Sequence, residues 1–222
     1  MEIPRGALVV SCQARPDNPL HGPVFMAAMA LAAVQGGAAG IRANGAADIA
    51  AIRRAVDVPI IGILKRDDPG FAVSITPDVA SARQVVESGA DIVALDATER
   101  PRRGEALPEL IGRIVAELRV PVMADVATRA QGVSAARMGA QYIATTLSGY
   151  TGEAPPDDAP DLALVGLLAA EQLRVVAEGR YATADHIAAA FARGAHAVVV
   201  GTAITNPREI TRKLARAAPW RG

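Results

Sequence analysis

Two side chains stand apart in this sequence for the chemistry they make available. Lys65 is one of only two lysines, since 21 of the 23 basic residues are arginine. Arginine keeps its proton near neutrality, whereas a confined amine can lose one. Lys65 follows the apolar run Ile60-Ile61-Gly62-Ile63-Leu64, which reads as a strand and delivers the amine at its end. Near arginines in a closed space its pKa should fall, leaving a group able to act as general acid/base, Schiff-base nucleophile or phosphate contact. The other lysine, Lys213, lies in Thr211-Arg212-Lys213-Leu214 and reads as a helix-surface residue. Glu178 closes Val175-Val176-Ala177-Glu178 and is the expected ionisable partner of Lys65. Asp125 closes Val122-Met123-Ala124-Asp125, where a buried ion pair orienting Lys65 is its simplest role.

A second constellation suits an anion. Glycines follow two late strands, in Gly179-Arg180 and in Gly201-Thr202-Ala203. Such loops supply backbone N–H groups and helix N-termini to a phosphate, and Arg180 and Thr202 add side-chain donors. No Cys/His cluster has metal-ligand spacing, so no metal is expected. Cys12 reads as a small buried hydrophobe without a paired base. The loop Leu147 to Pro160 is the longest and can serve as a lid.

The elements that must position these groups alternate along the whole chain. β-branched runs appear at Leu8–Ser11, Gly40–Arg42, Ile60–Leu64, Ile92–Asp96, Val122–Asp125, Tyr142–Thr146, Val175–Glu178 and Val198–Gly201. Helical spacing fills 23–35, 46–56, 77–88, 107–119, 128–138, 161–173, 183–193 and 207–217. Gly-Ala introduces a strand four times, at Gly37, Gly89, Gly139 and Gly194, so the repeat is two strand–helix units. Four copies give eight strands, and a single-domain (β/α)8 barrel over residues 1–222 is expected in preference to an open doubly wound sheet. In that barrel the chemistry sits at the carboxyl ends of the strands, on Ser11 and Gln13, Arg42, Lys65, Asp96, Asp125, Thr145 and Thr146, Glu178 and Gly201.

Composition bounds the partners. The chain of 222 residues is 51% hydrophobic, enough for a well-buried core. With 23 basic and 23 acidic residues, it has no electrostatic case for nucleic acid or an anionic membrane. The longest apolar run, Val24 to Val34, is too short for a bilayer. One cysteine and no signal-like start make the expected location cytoplasmic.

At these residues the sequence resembles the N-acetylmannosamine-6-phosphate 2-epimerase family of bacterial sialic acid breakdown. The resemblance covers nearly the whole chain. It rests on Val10-Ser11-Cys12-Gln13-Ala14, Gln35-Gly36-Gly37-Ala38 leading to Ile41-Arg42-Ala43, Pro59-Ile60-Ile61-Gly62 leading to Lys65-Arg66, and Ala94-Leu95-Asp96-Ala97-Thr98. Met123-Ala124-Asp125, Thr145-Thr146-Leu147-Ser148-Gly149-Tyr150-Thr151, Glu178-Gly179-Arg180 and Ala203-Ile204-Thr205 follow in the same order. The resemblance implies interconversion of N-acetylmannosamine 6-phosphate and N-acetylglucosamine 6-phosphate, with neither metal nor nucleotide cofactor. It implies Lys65 and Glu178 as the catalytic pair, Gln13, Arg42 and Asp125 around the sugar, and Gly179, Arg180, Gly201 and Thr202 at the phosphate. The family carries an arginine after Ile-Thr in the strand-eight loop, where this chain has Asn206, with Arg208 two residues on. The implied partner is a small amino-sugar phosphate, without nucleic acid or membrane, and the reading allows a homodimer. A Schiff-base aldolase on a sugar phosphate and a non-catalytic sugar-phosphate-binding barrel are the alternatives.

Overall fold

The structure, a computed structural model, describes residues 1–152 and 159–219. Residues 153–158, within the loop expected to serve as a lid, lie outside the described residues, as do 220–222.

Eight parallel strands close on themselves in sequence order: β1 (Ala7–Cys12), β2 (Gly40–Asn44), β3 (Ile60–Ile63), β4 (Ile92–Asp96), β5 (Val122–Asp125), β6 (Tyr142–Ala144), β7 (Val175–Glu178) and β8 (Ala197–Val200). The last pairs with the first in the register Val9 to Val199, so no edge strand remains. Around them run α1 (Pro23–Gln35), α2 (Ala46–Ala55), α3 (Val79–Glu87), α4 (Leu107–Arg113), α5 (Arg129–Arg137), α6 (Leu162–Ala170), α7 (Ala184–Ala192), the single turn α8 (Thr202–Thr205) and α9 (Pro207–Ala215). This is the (β/α)8 barrel expected from the alternating pattern.

Strand periodicity explains the two cores. Val9, Ile61, Ile63, Ala94, Met123, Ala144, Val176 and Val199 fill the barrel interior. Their neighbours Val10, Ile41, Ile60, Val93, Ala124, Ile143, Ala177 and Val198 face outward under the helices. Gly62 faces outward too: a Cβ there would lie 2.4 Å from Val85 and 2.6 Å from Ala90, so only glycine lets α3 approach β3. The four Gly-Ala joints end α1, α3, α5 and α7, and all four glycines have left-handed φ near 100°.

Below, the start of the chain closes the barrel floor. Buried Ile3 donates its N–H to Tyr142 Oη at 3.2 Å, and its carbonyl lies 2.9 Å from His196 Nε2.

Three local features depart from the alternating reading. The expected helix 107–119 ends in a π-helical turn, Ile114–Leu118, stopped by Arg119 in a left-handed conformation. Thr202–Thr205 forms a helical turn of its own before α9. β3 ends at Ile63, and the chain then folds back on itself between Leu64 and Asp78 rather than passing straight into the next helix.

Candidate active site

Continuing the inward alternation to the carboxyl ends of the strands brings Ser11, Gln13, Arg42, Asn44, Lys65, Asp96, Asp125, Thr146, Glu178 and Gly201 toward one mouth. Arg42 is the centre of their contacts and is 1% exposed. Its guanidinium grips Asp125 bidentately, with Nη1 to Oδ1 at 3.0 Å and Nη2 to Oδ2 at 2.5 Å. Nη1 also donates to Glu178 Oε2 at 2.5 Å and to Thr146 Oγ1 at 3.3 Å. Thr146 in turn donates to Asp125 at 2.7 Å. Burial opposes the charge on Arg42, but Asp125 and Glu178 together outweigh it and hold the guanidinium protonated.

The two carboxylates are not equivalent. Asp125 is fully buried and takes two guanidinium nitrogens, whereas the Glu178 side chain keeps 14% of its surface toward the mouth and takes one. Burial raises the Glu178 pKa. Arg42 opposes that rise and the negative charge of Asp125 adds to it. A carboxyl harder to ionise therefore faces the opening, above a fully buried one.

Lys65 stands just past the end of β3. Its Nζ donates to Gln13 Oε1 at 2.9 Å, and Gln13 Nε2 donates to Ser11 Oγ at 2.8 Å. The residue stays accessible from the mouth, yet protein around the amine thins its water. That desolvation is the first cause lowering its pKa, and the Arg42 and Arg15 charges act in the same direction. Glu178 and Asp125 pull the other way without overcoming them. An amine easier to deprotonate and a carboxyl harder to ionise are the two halves of an acid/base pair.

The late loops meet the mouth from the other side. Gly179 has φ +109 and Arg180 has φ +64, two successive left-handed residues that turn β7 sharply outward. The Arg180 guanidinium donates to the carbonyls of Ala159 at 2.7 Å and Ser148 at 2.8 Å and stacks 5.4 Å from the Tyr150 ring. The arginine is thus a fastener of the loop after β6. Gly201 lies against Ser11, whose Cβ is 3.3 Å from where its own would stand, and Thr202 opens α8 with its side chain exposed. Asn206 caps α9 by accepting from Glu209 N. Arg208 reaches the loop after β1, at Asp17 O and Oδ2, both at 3.1 Å.

Asp96 faces the interior but is occupied, accepting from Thr98 and, at 2.5 Å, from Arg100. The buried Cys12 thiol points under the helices with its pKa pushed up to about 12 by burial, which leaves it unreactive. Sequence reading did not single out Asn44, whose Oδ1 accepts from the Lys65 N–H at 2.9 Å, or Thr76. Asn44 stands two residues after Arg42 and so shares its face, a signal the strand period carries. Thr76 had no such signal, because it enters from a loop.

Comparison with known proteins follows this geometry. The family model described as "Putative N-acetylmannosamine-6-phosphate epimerase" matches residues 26–219. A protein of Cutibacterium acnes named "Putative N-acetylmannosamine-6-phosphate 2-epimerase" is 49% identical over 210 residues, covering 93% of this chain and 91% of that one. One of the same name from Caldanaerobacter subterraneus is 46% identical, covering 93% and 89%. Among solved structures, the N-acetylmannosamine-6-phosphate 2-epimerase from Clostridium perfringens superposes with a TM-score of 0.93 at 38% identity, over 97% of this chain and 95% of that one. A thiamine phosphate pyrophosphorylase from Pyrococcus furiosus shares the fold, with a TM-score of 0.60 at 16% identity.

Proposed function

The chain belongs to the N-acetylmannosamine-6-phosphate epimerase family, and from that premise we propose that it inverts C2 of an N-acylated amino-sugar 6-phosphate. It is then an N-acylglucosamine-6-phosphate 2-epimerase, joining N-acetylmannosamine 6-phosphate to N-acetylglucosamine 6-phosphate in amino-sugar breakdown. The observation that carries this reading is the shared mouth of Lys65 and Glu178, one pKa lowered and the other raised, over a floor of Arg42 and Asp125.

The reaction needs the open-chain aldehyde, because only there is the C2 hydrogen acidified by a neighbouring carbonyl. Neutral Lys65 removes that proton, and the electron pair moves into C1–O1 as an enolate. Glu178, carrying a proton, meets the charge growing on O1, and Arg42 below it supplies a fixed positive field. The Lys65 ammonium then gives a proton to the opposite face of C2, which restores the aldehyde with inverted configuration and the neutral amine. Gln13 holds the lysine amine and borders the sugar, while Asp125 keeps Arg42 in register. The 6-phosphate anchors the far end against the amides and side chains of Gly179, Arg180, Gly201 and Thr202, so that its binding energy positions C2. Every step uses side chains of this chain, so neither metal nor nucleotide enters the scheme. A phosphorylated sugar cannot cross a bilayer freely, which fits a cytoplasmic enzyme, and no helix among the described residues is long and apolar enough to span one.

A homodimer fits the outer surface. Val24, Phe25 and Leu31 on α1 are 77%, 46% and 41% exposed, and no residue of α9 is buried. Apolar side chains left open in this way suit cover by a second copy.

The test is proton NMR in heavy water with N-acetylmannosamine 6-phosphate. Deuterium should enter C2 as the N-acetylglucosamine epimer accumulates. Covalent trapping by borohydride would favour an aldolase, and absence of exchange would leave a binding protein.

A further inference from the structure

The chain beyond β3 inserts a wedge into the barrel wall beside Lys65. β3 and β4 pair only at Ile61 with Ile92 and at Gly62 with Val93. Above that point Ile75 and Thr76 enter between the two strands. Thr76 N donates to Leu64 O at 2.9 Å, and Leu64 N donates back to Thr76 Oγ1 at 3.2 Å. On the other side Thr76 Oγ1 donates to Ala94 O at 2.7 Å, and Asp96 N donates to Ile75 O at 3.1 Å. One hydroxyl thus replaces the missing ladder bond between neighbouring strands. Lys65 itself is bridged antiparallel to Ile75, and Arg66 N donates to Ser74 O at 2.9 Å. The backbone on both sides of the lysine is therefore fixed by the returning segment.

Thr76 occupies this place at a conformational cost. It is 0% exposed and has φ +44, although it is β-branched and precedes Pro77. Each of those features disfavours the left-handed region. Strain of this kind persists only where surrounding contacts over-determine it, and it concentrates at functional sites. A glycine would relieve the strain, but it would leave Leu64 N and Ala94 O without the hydroxyl.

We propose that Thr76 is a positioning residue for Lys65: its hydroxyl, wedged between β3 and β4, fixes the backbone from which the amine reaches the substrate. This rests on the reading of Lys65 as the acid/base of the reaction. The groups setting the charge around that amine are Arg42, Arg15, Glu178 and Asp125, with Gln13 as its hydrogen-bond acceptor. None of them touches Thr76 in the contacts described above, so any effect of Thr76 on the amine passes through the backbone.

Three variants test it. Thr76→Ser keeps the hydroxyl, Thr76→Val keeps the shape without it, and Thr76→Gly accepts the left-handed φ without it. Misplacing a catalytic group by about 1 Å commonly costs up to about 100-fold. Thr76→Val and Thr76→Gly should therefore lose about 10- to 100-fold in kcat with KM within about threefold, and Thr76→Ser should stay within about threefold of the parent. The second readout needs no substrate. With two lysines and the Met1 α-amine in the chain, reductive methylation with ¹³C-formaldehyde gives three resolvable amine signals, and Lys213 is the internal control. The Lys65 titration should move in the Val and Gly variants and hold in the Ser variant. If Thr76→Val fails to fold, Thr76→Gly, freed of strain, carries the comparison. Wild-type kcat and an unmoved Lys65 titration in the folded Val or Gly variant would overturn the inference, whatever happens to Tm. If the parent protein turns over no sugar phosphate, the proposed function fails instead, and the titration alone still decides the role of Thr76.

Discussion

Buried beneath the mouth, Arg42 neutralises two carboxylates at once, and truncating it would strand both. Arg42→Met should lower folding stability by about 3–5 kcal/mol, the usual consequence of leaving buried charge without its partner. The sign with pH is specific. Burial already raises the Glu178 pKa, and without the guanidinium that opposes the rise its folded value stands further above the unfolded one, so its ionisation opposes folding. Part of the lost stability should return as pH falls and Glu178 protonates, and urea midpoints at pH 8 and pH 5 measure it. Lys65 shows the opposite case. Its lowered pKa means that the folded state disfavours the charged form, which costs stability below the folded pKa. Lys65→Met should therefore melt higher near neutral pH, and the gain should vanish as pH rises into the ordinary lysine range. The same variant should lose at least about 100-fold in kcat/KM, the scale of general acid/base catalysis, and Lys65→Arg should be equally inactive.

Among the elements, the loops after β6, β7 and β8 divide the remaining work. Arg180→Ala should weaken the 6-phosphate substrate by about 1.5–3 kcal/mol in kcat/KM, the usual size of a charge-assisted hydrogen bond. The unphosphorylated sugar should be a poor substrate and nearly unaffected. Equal losses for both sugars would show that the arginine acts on catalysis through its grip on Ser148 and Ala159. Sequence made the strand ends legible, because apolar runs ending in a polar side chain read directly as a barrel rim. It did not make the partners legible. Arg42 meets Asp125 and Glu178 across 83 and 136 residues, and that choice depends on how three strands stagger around the closed sheet. The wedge at Thr76 was hidden for a different reason. Thr76-Pro77-Asp78 reads as a helix start, and so it partly is, since Asp78 caps α3 by accepting from Ser81 N. Nothing in that signature says that the preceding threonine leaves the helix path and enters the sheet.

For the molecule as a whole, the repeat of two strand–helix units was the strongest guide. Eight apolar runs with glycine joints have few ways to bury all their faces other than a closed barrel. The outer surface was less legible, because the apolar run Val24 to Val34 carries no mark of which face it buries, and only Met26 and Ala30 of the 13 residues of α1 are buried. Light scattering should give about twice the 22.9 kDa chain mass, and Phe25→Glu should return the monomer. A monomeric parent protein at micromolar concentration would rule the assembly out.

The ion pairs of Arg42 also have a meaning for the chain as two pieces. Gln13, Arg42 and Lys65 all lie in or just past the first four strands, and Asp125 and Glu178 in the last four. Each half-barrel would carry one member of the proposed catalytic pair and an unmatched charge on its inner face. Arg42 reaches across the barrel interior to both carboxylates, so the contacts that tune the chemistry also recognise the matching half. Expressed as separate fragments, neither half would turn over substrate. Activity would then report their reassembly, as in a split-enzyme complementation assay.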